Sequence, residues 1–181
     1  MEQWLNPRLA EPRDIPELER LIPLSVRSLQ STYYTTEEME GAMRAGVFGV
    51  DRQLIDDGTY FVVEANGVIV GCGGWSKRRS LFGSDTARTG EDPLLDPKHE
   101  SARIRAYFVH PDFARRGIGR AILAACESAI RSAEFKTVEL CATLPGEPFY
   151  LAFGYVGDER LEIPLGDGVG LPVVHMTKRL A

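Results

Sequence analysis

The sequence predicts an α/β domain built on a mixed, largely antiparallel sheet. Three observations support this class. Two helical segments open the chain, a hairpin signal stands at Asn66-Gly67, and residues 101–131 run from a strand through a basic glycine turn into a helix. Strands and helices do not alternate regularly, which disfavours a doubly wound parallel sheet. With 181 residues, the chain is expected to form a single domain over residues 1–181.

The N-terminal part of the chain predicts two helices. Asp14 is expected to cap the first, with Glu17 bonding back three residues later. Pro23 is expected to kink or end that helix, because proline lacks the backbone N–H and its ring crowds the preceding turn. Thr35 opens a second capping box, and Gly46 is the expected end of the second helix.

A β-hairpin is predicted next, with strands over residues 59–65 and 68–76. Asn66-Gly67 between them suits a type I′ turn, in which both central residues have positive φ. The second strand contains three glycines, which indicate a bulge or a close approach of another backbone. These are Gly71, Gly73 and Gly74. Residues 77–100 follow as a polar segment without periodicity, and loops of this length are usually functional or disordered.

The central stretch combines a strand, a basic turn and an amphipathic helix. Residues 102–109 are β-branched and aromatic, His110-Pro111-Asp112 interrupts them, and glycines and arginines occupy residues 115–120. A helix N-terminus presents unpaired N–H groups and partial positive charge, while glycines let a phosphate approach and arginines add fixed charge. The turn therefore suits a diphosphate, and a tight turn with solvated arginines is the alternative.

The remaining elements are a strand, a short helix and a second hairpin. The strand is predicted over residues 135–142, and Pro148 suits the first turn of the helix that follows. The final hairpin is predicted from residues 155–163 and 171–180, with a glycine-rich connection over residues 166–170.

The segment YFVHPDFARRGIGRAIL resembles the acetyl-coenzyme A signature of the GCN5-related N-acetyltransferase (GNAT) family, and the element order is similar over nearly the whole chain. The resemblance implies a GNAT fold in which the strands at 102–109 and 137–142 splay apart and leave backbone groups for coenzyme A. It implies cofactor contacts at Phe108, Val109, Arg115, Arg116, Gly117, Ile118, Gly119 and Arg120. Two positions depart from the family pattern: Ala114 replaces a usual Gln or Arg, and Thr143 stands where asparagine is common.

The same resemblance implies an enzyme that moves an acetyl group from acetyl-CoA to the amine of a small molecule or amino-acid-like acceptor. The amine attacks directly in a ternary complex, and a backbone N–H near Val109 polarises the thioester carbonyl. Tyr150, in the closing FYLAFGY motif, acts at the departing sulfur. A non-catalytic coenzyme A-binding sensor or regulatory module is the alternative.

The acceptor site has three candidate residues. Tyr33 precedes the second helix beside Tyr34, and for this pair contact with the substrate and packing in the core are equally expected. Trp75 is expected either in the cleft or in the core. Arg105 shares one face of its strand with Arg103, and either holds a substrate carboxylate in a bidentate pair or faces water on an edge strand. Residues 77–100 are expected to form a flap over this side.

No motif identifies a general base. The carboxylates nearest the expected cleft are Glu64, Glu100 and Glu139, and a chain of waters would serve equally well.

Composition excludes several classes of partner. A net charge of −5 and a pI near 5.3 argue against nucleic acid, and no apolar run reaches the roughly 18 residues of a membrane span. The spacing of Cys72, Cys126 and Cys141 shows no CxxC pair, which indicates buried free thiols in a reducing cytoplasm. The alternative is a nucleophilic role for Cys72 or Cys141. The three histidines show no metal-ligand spacing, so no metal is expected. The expected partner is a small-molecule amine, and a homodimer is left open.

Overall fold

The computed structural model describes residues 5–84, 87 and 90–180. In this part of the chain, seven strands form one sheet in the order β1-β2-β3-β4-β5-β7-β6. The strands are β1 (Arg8–Leu9), β2 (Tyr60–Ala65), β3 (Val68–Ser76), β4 (Ala102–Val109), β5 (Thr137–Thr143), β6 (Val156–Gly166) and β7 (Val169–Arg179). The helices are α1 (Ile15–Leu29), α2 (Thr36–Arg44), α3 (Arg52–Asp56), α4 (Ile118–Ser132) and α5 (Glu147–Ala152).

The sheet is antiparallel except where β4 meets β5. These two strands run parallel and are paired only at Ala102 with Val138 and at Arg103 with Glu139. Beyond Arg103 they diverge, so the carboxyl-terminal halves of both strands border an opening through the sheet. The predicted class, a mixed and mostly antiparallel sheet with a splayed central pair, is confirmed.

Helices cover both faces of the sheet and enclose two hydrophobic clusters. The first lies against α4, whose buried face contains the predicted helical-period residues Ile118, Ile122, Cys126 and Ile130. The second lies on the opposite face, against α1 and α2. A Cβ on Gly71 would lie 2.3 Å from the Ile118 side chain, so this glycine lets the start of α4 approach β3 closely.

A β-bulge in β4 sits at the opening. Cys72 is opposite Phe108 and Gly74 is opposite Arg105, so two residues of β4, Ala106 and Tyr107, oppose Gly73 alone. Ala106 has φ of +59°, the left-handed value of a bulged position. The irregularity predicted from the three glycines of β3 is therefore present.

The bulge reverses which residues of β4 face each cluster. Before it, Ile104 packs into the α4 cluster; after it, Tyr107 and Val109 do so, while Phe108 packs into the α1 cluster. Without the extra residue, period two would place Tyr107 and Val109 on the same face as Arg105. The bulge thus sets which side chains of β4 face the opening on the α4 side.

The start of α1 differs from the prediction. Asp14 does not cap the helix; its carboxylate accepts two hydrogen bonds from Arg8, at 2.7 and 2.9 Å, and one from the Glu11 N–H at 2.8 Å. Glu17 accepts a hydrogen bond from Ile69 N at 2.7 Å instead of closing a capping box. Asp14 therefore ties the start of α1 to the edge strand β1, and Glu17 ties it to β3, long-range roles that local spacing does not reveal.

Pro23 does not end α1, which continues to Leu29. Leu21, Ile22 and Val26 on either side of it are buried, so tertiary packing holds the helix despite the lost backbone hydrogen bond. The Thr35 capping box forms as predicted: Glu38 N donates to Thr35 Oγ at 3.1 Å and Thr35 N donates to Glu38 at 2.7 Å.

The final hairpin is longer than predicted, because its strands continue through the glycines at residues 166 and 170 to a tight turn at Asp167-Gly168. Both turn residues have positive φ, +51° and +77°. This geometry matches that of Asn66-Gly67, with +53° and +76° in the first hairpin.

The described part of residues 77–100 is anchored to the body of the domain. Arg78 donates two hydrogen bonds to Asp57, at 2.7 and 2.9 Å, and Leu95 N donates to Lys77 O at 2.8 Å. Ser84 N and Oγ both donate to Gly46 O. The base and rim of the segment are thereby fixed, while residues 85, 86, 88 and 89 of the predicted flap lie outside the described residues.

Other expectations concern thiols, metals and membranes. The three cysteines are free, with Cys72 and Cys126 buried and Cys141 half-buried. Within residues 5–84, 87 and 90–180, no group of three or more metal-ligating side chains is present. Among the helices of that same part of the chain, none is long and apolar enough to cross a bilayer.

We predict that Gly73→Ala destabilises the protein by about 1–3 kcal/mol, because the new Cβ would lie 2.6 Å from the Tyr107 ring and force the bulge to move. Gly41→Ala in α2 is the matched control. Its Cβ meets only the movable end of Leu165 at 3.3 Å, and alanine favours a helix by about 1 kcal/mol. Urea denaturation measures both variants, and equal stability of the two would contradict the close approach.

Candidate active site

A cleft of about 700 Å³ occupies the opening between β4 and β5. Its walls come from α1, residues 47–49, residues 81–84, the turn before α4, and α5, with Ile163, Leu171 and Val173 from the last hairpin. The cleft exists because the two strands diverge, since regular pairing of β4 with β5 would close the opening.

One side of the cleft is formed by the basic turn. Gly117 has φ of +88°, which only glycine adopts readily, and α4 starts directly after it. The first backbone bond of the helix runs from Ala121 N to Gly117 O at 3.0 Å, so the N–H groups of residues 118–120 have no helical carbonyl to bind. Arg115 and Arg120 are exposed and line the same side, which gives an anion-binding surface.

Arg116 differs from its neighbours. It is exposed but does not line the cleft, and its guanidinium lies 5.2 Å from the centre of the Phe113 ring. Of the residues implied as cofactor contacts, the structure brings seven to the cleft: Phe108, Val109, Arg115, Gly117, Ile118, Gly119 and Arg120.

The backbone of β4 presents an N–H to the cleft at Val109. This group donates to Ser25 Oγ of α1 at 3.2 Å, whereas the next N–H, of His110, returns to the sheet by donating to Val70 O at 2.9 Å. Ser25 is 4% exposed and lines the cleft. No motif marks Ser25 in the sequence, since only the packing of α1 across the sheet brings it to Val109.

Tyr150 lies on the α4 side of the cleft, held by three aromatic rings. The ring centres of Tyr107, Phe149 and Tyr155 lie 6.2, 5.0 and 5.4 Å from its own, in edge-to-face arrangements. Burial raises the pKa of Tyr150 well above its ordinary value, because the charged phenolate loses its hydration. The hydroxyl is therefore a hydrogen-bond donor at neutral pH.

Arg105 lies where the sequence placed it, in the wall of the cleft, but both of its Nη atoms are already engaged. Its side chain is 3% exposed and pairs with Asp51, whose side chain is fully buried. Arg105 also donates to Ser80 O at 2.9 Å and to Gly83 O at 3.2 Å. The expected bidentate bond to a substrate carboxylate would need two free Nη donors, which the guanidinium of Arg105 does not have here. The alternative, a solvated residue on an edge strand, is wrong, because β4 is a central strand and Arg105 is buried.

Tyr33 and Trp75 are not brought to the cleft. Tyr33 is 53% exposed, and Trp75 is buried against Phe135 with ring centres 6.1 Å apart. The other tyrosine of the pair, Tyr34, is buried; it donates to Pro172 O at 2.6 Å and accepts from Leu144 N at 2.9 Å. Tyr34 thus fastens the connection between α1 and α2 to the far side of the opening.

The candidate general bases are all engaged elsewhere. Glu64 pairs with Arg8, and Glu100 accepts from Arg79 at 3.3 Å. Glu139 pairs with Arg103, and its other oxygen lies 2.6 Å from His175 Nε2. None of the three lines the cleft, and the described lining contains no Asp, Glu, Lys or His.

This fold and this cleft are those of an acyltransferase that uses a bound coenzyme A thioester as its acyl donor. The chain belongs to the acetyltransferase (GNAT) family, whose model matches residues 24–155. As a member of that family it is an acyltransferase, and acetyl-CoA is the co-substrate that membership implies. The turn amides and arginines described above fit the phosphates of such a ligand.

Solved structures agree with this fold. A GCN5-related N-acetyltransferase from Rhodopseudomonas palustris is 21% identical, with a TM-score of 0.70 over 96% of this chain and 94% of that one. The PaiA N-acetyltransferase of Thermoplasma acidophilum, in complex with coenzyme A, is 14% identical with a TM-score of 0.68 over 97% and 98%. YncA from Salmonella typhimurium, bound to acetyl-CoA, is 15% identical with a TM-score of 0.60 over 97% and 94%. No curated protein sequence matches the chain.

We predict that Cys141→Ala retains most of the transferase activity. Cys141 lines the cleft, but burial raises the pKa of its thiol to about 11, so little nucleophilic thiolate exists at pH 7.5. Steady-state kinetics with both substrates varied should give intersecting lines in both proteins. Loss of activity by several orders of magnitude in a normally folded variant, with an acetylated wild-type enzyme in the mass spectrum, would instead show a covalent mechanism.

Proposed function

We propose that the protein transfers the acetyl group of acetyl-CoA to the primary amine of a small molecule by direct attack. The observation that carries this proposal is the meeting, in one cleft, of an anion-binding helix start, a strand N–H turned away from the sheet, and a buried neutral tyrosine. We also propose a cytoplasmic location, which suits three unpaired cysteines.

The diphosphate of coenzyme A would be held by the N–H groups of residues 118–120, with Arg115 and Arg120 adding charge. Ala114 lines the cleft where the family usually has a longer polar side chain, so these two arginines carry the side-chain contribution. The pantetheine arm would follow β4 at Phe108 and Val109, along the edge that β5 leaves open.

The reaction forms a bond between the amine nitrogen and the acetyl carbon and breaks the bond from that carbon to sulfur. Val109 N–H would stabilise the developing negative charge on the carbonyl oxygen, exchanging its hydrogen bond to Ser25 Oγ for one to the substrate. The proton of the attacking amine would leave through water, since no basic side chain is among the described lining residues.

Tyr150 would stabilise the departing thiolate by donating a hydrogen bond. An ordinary tyrosine has a pKa about 1.5 units above that of a thiol, so full proton transfer would already cost about 2 kcal/mol. Burial raises the pKa of Tyr150 further and makes complete transfer less favourable still. Hydrogen bonding to the thiolate is therefore the role that we assign.

The cofactor assignment predicts that Gly119→Asp abolishes acetyl-CoA binding, because a carboxylate would stand where the diphosphate must lie. Gly119→Ala is the matched control, since its Cβ makes the same 3.3 Å contact with the Phe149 ring and adds no charge. Acetyl-CoA at 100 times the wild-type Kd should stabilise the wild type by about 2.7 kcal/mol in thermal unfolding, and the alanine variant by part of this amount, since a methyl group obstructs the diphosphate less than a carboxylate does. Equal stabilisation of the aspartate variant would refute the assignment.

For Tyr150→Phe we expect a lower kcat with an almost unchanged Kd for acetyl-CoA, because the thiolate exists only late in the reaction. In the wild type, kcat should not fall between pH 9 and about 10.5, since the raised pKa keeps the Tyr150 hydroxyl protonated there. Single-turnover kinetics and isothermal titration provide the two measurements. An unchanged rate of the chemical step in the variant would remove this role.

A further inference from the structure

The cleft passes through the sheet and therefore has two faces. Ile118, Val109 and Tyr150 line it on the α4 face and belong to the α4 cluster. Eight other lining residues belong to the cluster on the opposite face: Val47, Phe48, Ala106, Phe108, Cys141, Ile163, Leu171 and Val173. Because the diphosphate site lies at the start of α4, the acceptor approaches the thioester from the opposite face.

That opposite face is largely apolar and is built from distant parts of the chain. The buried Gln30 at the end of α1 also lines the cleft, and its Oε1 has no hydrogen-bond partner among the described residues. Phe48 packs edge-to-face on Phe108 with ring centres 6.1 Å apart, and Ile163 pairs with Leu171 across the last hairpin. Residues 81–84 close the rim, where Ser84 Oγ donates to Gly46 O at 2.8 Å. Phe82 at this rim is 41% exposed and lines the cleft, which leaves it available to a bound molecule.

The charge on this face is compensated before any acceptor enters. The charged side chains among the described lining residues are Arg105, Arg115 and Arg120, and the last two belong to the diphosphate turn. Arg105 is matched by the fully buried Asp51, and its Nη donors bond Ser80 O and Gly83 O. Its Nε has no hydrogen-bond partner among the described residues, but this atom is buried from solvent and is a single donor, so it cannot bind a carboxylate in a bidentate pair.

We infer that the acceptor is a primary amine on an uncharged, apolar body, and that amino acids and diamines are discriminated against. This inference rests on the proposed function and narrows its acceptor. A carboxylate or a second ammonium bound beside Phe48 and Leu171 would lose its hydration without gaining an opposite charge, whereas an alkyl or aromatic group would leave water for an apolar surface.

The test uses three amines with the same four-carbon chain: butylamine, 4-aminobutanoate and 1,4-diaminobutane. Thiol release from acetyl-CoA gives kcat/KM for each, and the rise in melting temperature of the protein–coenzyme A complex gives binding without turnover. We expect butylamine to exceed each charged analogue by at least roughly tenfold in kcat/KM, and to give the largest rise in melting temperature. A charged analogue that equals or exceeds butylamine in either measurement overturns the inference.

A pair of variants checks that the preference arises at this face. Phe82→Asp should raise KM for butylamine roughly tenfold and reduce its advantage over 1,4-diaminobutane, because the new carboxylate would pair with the second ammonium. Leu94→Asp is the matched control, since Leu94 lies in the same segment, is 60% exposed and does not line the cleft. Acetyl-CoA affinity should be the same in both variants. Equal effects of the two substitutions on the preference overturn the inference.

The two proposals fail in distinguishable ways. If acetyl-CoA does not stabilise the wild type and no amine releases thiol, the proposed function fails and the acceptor class fails with it. If acetyl-CoA binds and charged amines are the better acceptors, or the better stabilisers of the coenzyme A complex, the acetyltransferase proposal stands and the apolar acceptor is wrong.

Discussion

The divergence of β4 from β5 is the constraint on which the other features of the site depend. Two residue pairs, Ala102 with Val138 and Arg103 with Glu139, hold the strands together, and the rest of β4 has no sheet partner on that side. Unpaired backbone groups inside a protein are costly unless something else satisfies them. Ser25 Oγ does so at Val109 by accepting a hydrogen bond from its N–H, which stabilises the open edge in the absence of ligand. The Val109 N–H can exchange this weak partner for another.

The bulge at Ala106 determines how the two faces of the opening differ. By adding one residue opposite Gly73, it turns Tyr107 and Val109 toward α4 and leaves Phe108 facing α1. The α4 face therefore gains the aromatic group around Tyr150, with Tyr107 as one of its members. The α1 face gains Phe108 and the ring of Phe48 packed on it. One extra residue in a strand thus gives the two faces of the opening different linings.

Local signals in the sequence predicted most of the fold. The Asn66-Gly67 turn, the Thr35 capping box, the helical spacing of α4 and the glycines of β3 each depend on neighbours within a few residues, and the structure shows all four. The predictions at Asp14, Glu17 and Pro23 failed for a common reason, which is that long-range contacts determine the structure there. These contacts are hydrogen-bond partners distant in sequence, such as Ile69, and the packing of a buried helix face. The strand, basic turn and helix within residues 101–131 are likewise contiguous, and these elements were predictable. The apolar face of the cleft opposite α4 is assembled from four separate segments, so its residues carried no motif.

Arg105 shows how a correct local inference can miss a partner that is distant in sequence. Period two correctly put it on the same face as Arg103, but the carboxylate it meets comes from Asp51, 54 residues earlier in the chain. Two charges buried together are costly to desolvate, and such a pair is often no more stabilising than apolar residues of equal size. Here the pair sits where residues 80–84 and the start of α3 meet β4, and Arg105 bonds the carbonyls of Ser80 and Gly83 in the first segment. Its physical effect is to fix this rim of the cleft in place and to compensate the charge of Arg105 within the protein.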